Sequence, residues 1–125
     1  MIYRHTEMHS ETRQAVHGGE GDVSLRYLMP RNSAPNLRLL TWMTVPPGAT
    51  VGLHQHRLET EYYLLTSGQV RVNDNGSWSA MQPGDLLQTA SGEGHALENT
   101  GDEAAQLLVF VVTHAAHPLN TGVTP

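Results

Sequence analysis

Gly48-Ala49-Thr50-Val51-Gly52-Leu53-His54-Gln55-His56-Arg57-Leu58-Glu59-Thr60-Glu61-Tyr62-Tyr63-Leu64-Leu65-Thr66-Ser67-Gly68 reads as two short strands joined by a bend. Alternate side chains of a strand share a face, so His54 and His56 point the same way. Both imidazoles can reach one ion at the usual metal–nitrogen distance of about 2.0–2.1 Å. The gap between His56 and Glu61 leaves room for a bend, and Glu61 opens the next strand with its carboxylate free to return to the same ion. A third imidazole, His95, arrives from a distant strand. Only a closed or sandwiched sheet brings it in. Glu59 is a rival carboxylate, because it shares parity with Glu61.

The rest of the chain supports such a sheet. Strand candidates run over 23–29, 37–45, 61–66, 70–73, 78–81, 86–89, 95–99 and 106–113, each closed by Gly, Pro, Asn or Asp. Asp74-Asn75-Gly76 is a strong tight-turn signal, since Asn and Gly accept positive φ at low cost. The best helical candidate is a turn or two near Met8 to Ala15, with Ser10 as its cap. Many short strands at close spacing indicate an all-β sandwich or barrel.

Composition narrows the function. The chain has 125 residues, enough for one domain with little room for a second module. No cysteine is present, which excludes disulfides, thiolate nucleophiles and cysteine-bound metal. Any metal must use His and carboxylate. The net charge is −5 and the basic residues are scattered, so a nucleic-acid partner is not expected. No apolar run suits a membrane helix, and Met1-Ile2-Tyr3-Arg4-His5 carries no secretion signal. A cytoplasmic location is the expectation.

Two motifs give the chain a family resemblance. Gly48-x5-His54-x-His56-x4-Glu61-x6-Gly68 resembles the first cupin motif at every spacing, and Gly84-x5-Ala90-x-Gly92-x2-His95-x3-Asn99 resembles the second. The one departure is Ala90, where the family usually has Pro. That position shapes a bend and binds no metal. The spacing to Gly68 favours Glu61 over Glu59, and Glu59 is then expected to be solvated or a partner to a ligand imidazole. The resemblance implies a single jelly-roll β-barrel over residues 23–113, an N-terminal arm over 1–22 and a C-terminal tail over 114–125. Small cupins of this type are usually homodimers, so a homodimer is expected. Gly18-Gly19-Glu20-Gly21 resembles the turn with which such barrels often begin.

The expected site holds one divalent transition metal on His54, His56, Glu61 and His95. Mn, Fe, Ni, Co and Zn all suit this ligand set. Four protein ligands leave positions for a small-molecule guest if the ion is six-coordinate. The residual positive charge favours an anionic or enolisable substrate. The expected function is a metal-dependent enzyme acting by oxidation, decarboxylation or isomerisation, as an oxygenase, lyase or isomerase. The alternative is a protein that binds a dicarboxylate or sugar without chemistry. Tyr63 and Gln88 are substrate-binding candidates: Tyr63 shares the inward face of Glu61, and Gln88 is polar within an apolar strand. A satisfied core aromatic competes with that reading of Tyr63. Trp42 and Phe110 are expected in the core or on the pocket wall. His5, His9, His17, His114 and His117 fall outside the motifs and are expected to be exposed or locally bonded.

Overall fold

The computed structural model describes residues 1–115. His117 and most of the expected C-terminal tail lie outside the described residues. Among the described residues ten strands form: β1 (Ser10–Gln14), β2 (Asp22–Tyr27), β3 (Leu37–Val45), β4 (Thr50–Gln55), β5 (Glu59–Ser67), β6 (Val70–Asp74), β7 (Ser77–Met81), β8 (Leu86–Thr89), β9 (Gly94–Asn99) and β10 (Ala105–Thr113). They make a six-stranded sheet in the order β1-β2-β3-β10-β5-β8 and a four-stranded sheet in the order β4-β9-β6-β7. All pairings are antiparallel. The two sheets face each other in the jelly-roll arrangement that the motifs imply. Among the described residues no helix is long and apolar enough to cross a membrane.

Period-two alternation explains how the sheets close on one core. In β10, Ala105, Leu107, Val109 and Val111 are buried while the residues between them are half-buried. Of these, Ala105, Leu107 and Val109 share one core cluster with Leu65 of β5, Val72 of β6 and Leu97 of β9. The tight turn forms as expected, with φ at +49° for Asn75 and +102° for Gly76. It joins β6 to β7.

Two expectations are corrected. Residues 8–15 do not form a helix. Ser10–Gln14 is a strand pairing with β2 from Ser10 opposite Arg26 to Gln14 opposite Asp22. The stretch Ser-Glu-Thr-Arg-Gln has no apolar face for a helix to bury, whereas β2 offers an open edge. Trp42 and Phe110 are not core residues. Both fall on the outward parity of their strands and are half-buried on the outer face of the six-stranded sheet. There the Phe110 ring stacks on Tyr62, with centroids 4.8 Å apart.

Candidate metal centre

Three strands bring the site together. β4 carries His54, and His56 lies just past its end. β5 carries Glu61 and β9 carries His95. A register shift between Val51 and His54 sets His54 directly opposite His95. Beyond β4 the chain turns through Leu58, whose φ is +58°, and enters β5. The expected bend is therefore real, and it folds Glu61 back over the imidazoles.

The ligand atoms converge on a small volume. They lie within 4.8 Å of one another. Glu61 Oε1 stands 2.8 Å from His56 Nε2, 2.9 Å from His95 Nε2 and 3.8 Å from His54 Nε2. His95 Nε2 is 3.1 Å from His56 Nε2 and 2.9 Å from His54 Nε2. Ligands about 2.1 Å from an ion and at right angles stand about 3.0 Å apart, so most of these separations suit neighbouring positions around one cation.

The outer nitrogens give the stronger test of fit. His54 Nδ1 donates to the Gly52 carbonyl at 2.8 Å and His56 Nδ1 to Glu59 Oε1 at 2.9 Å. Those partners only accept, so the proton sits on Nδ1 and each Nε2 lone pair points inward. His95 Nδ1 meets the Thr89 hydroxyl at 2.7 Å. Inward lone pairs facing a carboxylate oxygen repel one another unless a positive centre joins them. Among the described residues, Glu61 Oε1 is buried with no hydrogen-bond donor of its own. An acceptor without a donor, set among two inward lone pairs and the His95 Nε2, is the donor set of a cation site.

The ionisation pattern agrees. Burial opposes the charge of Glu61, but the imidazoles of His54, His56 and His95 outweigh it and hold the carboxyl well below its ordinary value. A second proton on His56 would let its Nε2 bond Glu61, and this raises His56 against the effect of burial. Burial lowers His95, with Glu61 opposing. Burial also pushes the Tyr63 phenol well above its ordinary value, and the Glu61 charge adds to this.

The partners of the ligands are themselves held. Burial works against the charge of Glu59, yet His56 and Arg38 keep its carboxyl low. Arg38 grips it with two bonds, at 2.7 and 3.2 Å. Glu59 is thus placed as a partner to the His56 imidazole, outside the four-atom cluster. Tyr63 is buried, lines the cavity of about 320 Å³ beside the cluster, and stacks on His95 at 4.7 Å. Gln88 is not brought there. It is exposed on the opposite parity from Thr89, and its amide donates to the Tyr62 hydroxyl at 3.2 Å.

His17 is exposed, as expected, and lies outside the four-residue cluster, but it packs against it. Its ring stacks on His54 with centroids 3.7 Å apart and planes 12° from parallel. Burial lowers its pKa, and the nearby His54 adds to that. The turn that presents it is left-handed at Ala15 (φ +53°) and at His17 (φ +50°), conformations that non-glycine residues seldom adopt. Backbone packs on backbone beneath it: a Cβ on Gly52 would collide with the His17 carbonyl oxygen. Only the glycines of this region hinted at such an approach in the sequence.

Comparison with known proteins agrees with this geometry. The chain is 35% identical over 113 residues to an "Oxalate-binding protein" of Thermotoga maritima, covering 90% of this chain and 93% of that one. A Thermotoga maritima crystal structure named as a predicted oxalate decarboxylase superposes with a TM-score of 0.84 at 34% identity, covering 90% of this chain and 99% of the other. The cupin domain of Schizosaccharomyces pombe Cnp3 shares the fold at 16% identity, with a TM-score of 0.67 over 82% of this chain and 68% of that one. The Cupin_2 family model, described as "Cupin domain", matches residues 41–111, and the chain belongs to the cupin family.

Proposed function

We propose that this cupin holds one divalent transition metal on His54, His56, Glu61 and His95 and binds a small carboxylate anion of the oxalate or 2-oxo acid type at that metal. The observation that carries the reading is Glu61 Oε1, buried without a donor amid three inward-facing imidazoles. The metal would supply Lewis acidity and a template for a chelating anion. Glu59 and Thr89 keep the His56 and His95 rings oriented. Tyr63 retains its proton and presents a hydroxyl donor rather than a base. Similarity to a protein named for oxalate binding supports an anionic guest.

Turnover is the second reading: an oxygenase, lyase or isomerase acting on the same anion. Tyr63 is the observation that favours it, because a protonated phenol on the cavity wall can stabilise charge developing on a substrate oxygen. Titration calorimetry with oxalate tests the first reading. Metal-loaded protein should bind oxalate and metal-stripped protein should not. Equal binding by both forms would defeat it. Product formation from oxalate or a 2-oxo acid by the loaded protein would carry the second.

A further inference from the structure

The cavity beside the candidate metal ligands is large for oxalate. It measures about 320 Å³, whereas oxalate displaces two or three waters of about 30 Å³ each. Its lining has two characters. One is apolar, with Val16, Leu25, Leu39, Met43 and Val109. The other is cationic, with the guanidinium groups of Arg13, Arg31 and Arg38.

Two of those cations are engaged. Arg38 is held on Glu59, and Arg13 reaches Glu11 at 2.7 Å. Arg31 has no carboxylate within ion-pair distance among the described residues. A phenol holds it instead. Arg31 Nη2 donates to the Tyr27 hydroxyl at 3.1 Å, and the guanidinium lies 5.4 Å from the centroid of the same ring. That hydroxyl also accepts from Arg13 at 3.2 Å and donates to Glu11. The loop behind Arg31 is pinned where Asn32 N donates to the Arg38 carbonyl at 3.1 Å. A half-buried guanidinium, oriented by a neutral partner and facing an apolar-walled cavity, leaves most of its five donors and its charge uncompensated.

We infer that Arg31 receives a second anionic group on the ligand bound at the metal centre. The preferred ligand is then a 2-oxo dicarboxylate with an apolar segment between its chelating end and a distal carboxylate. The inference rests on the metal-dependent anion binding proposed above. It gives that site a selectivity that oxalate, with no distal group, would not reveal. Arg31 also borders a separate hollow lined by the arm residues Tyr3, Arg4 and His9, so the test must show that the two anionic groups belong to one molecule.

The experiment is calorimetry on manganese-loaded protein with oxalate and two matched pairs: 2-oxoglutarate against 2-oxobutyrate, and 2-oxoadipate against 2-oxopentanoate. A guanidinium–carboxylate contact should make the dicarboxylate of at least one pair bind about tenfold more tightly than its partner. Arg31→Gln should erase that ratio and leave oxalate affinity and metal content unchanged. Arg31→Lys, which keeps the charge but loses the fork, should retain part of it. Equal affinities within both pairs, or a ratio that survives in Arg31→Gln, overturns the inference. Where oxalate still binds, only this inference falls. Failure of all five compounds on loaded protein removes the metal–anion reading with it.

Discussion

Glu61 and the three imidazoles around it act as one unit, and their orientation is decided one bond further out. Each ring is steered through Nδ1: His54 by the Gly52 carbonyl, His56 by Glu59 and His95 by Thr89. Loss of such a partner typically costs about 10–100-fold in metal affinity. Glu59→Gln and Thr89→Val should each weaken metal binding by about that factor in competition titrations with a chelator, while the fold persists. Unchanged affinity in both variants would mean that the rings are held by packing alone.

The same groups set the acid sensitivity of the metal-stripped protein. Glu61 and Glu59 have lowered pKa values, so the stability they contribute is present above the ordinary value of 4.5 and is lost as the pH falls below it. His95 and His17 are also lowered, so the unfolded chain takes up their protons first as the pH drops below 6.5. His56 runs the other way. Its contribution is complete below 6.5 and fades as the pH rises through its raised value. Calorimetric melting of the stripped protein should therefore show a falling transition temperature on acidification, steepest below 4.5. Protons compete with metal for the same nitrogens, so metal affinity should fall over the acid range as well. A transition temperature that holds steady as the pH falls below 4.5 would contradict this account.

At the scale of elements, the site depends on how β4, β5 and β9 are packed. Leu97, fully buried in β9 two residues beyond His95, anchors that strand in the core. Leu97→Ala should cost about 2–5 kcal/mol in denaturant unfolding. Gly52→Ala is a local probe, because its Cβ would collide with the His17 carbonyl. It should displace the turn at 15–18 and break the stack on His54, visible as a shift of the His17 ring resonances in NMR spectra.

The elements also show what a sequence displays and what it hides. Strands β3 to β10 announce themselves through alternation and turn residues, and the ligand set follows from spacing within and between them. The facing of Gln88 was not legible, because a one-residue change of parity exchanges it with Thr89. Strand β1 was missed because its pairing is supplied by a distant edge rather than by its own composition. The stack of His17 on His54 was not legible, because it depends on left-handed backbone at Ala15 and His17, which neither residue type advertises.

For the molecule as a whole, the outer face of the six-stranded sheet carries Leu40, Trp42, Leu108 and Phe110 half-buried side by side. A face of this kind suits pairing with a second copy. Light scattering after size exclusion should give twice the chain mass, and Phe110→Glu should return the monomer mass with metal content intact. Monomer mass for the wild type would contradict the expected homodimer.

The central claim is that His54, His56, Glu61 and His95 together hold one transition metal. Elemental analysis of purified wild-type protein beside a His54→Ala, Glu61→Ala double variant tests it most directly. The account predicts one divalent ion per wild-type chain and none in the folded double variant. A wild-type chain that takes up no metal when offered manganese, iron, cobalt, nickel or zinc would contradict it, as would a double variant that keeps its ion.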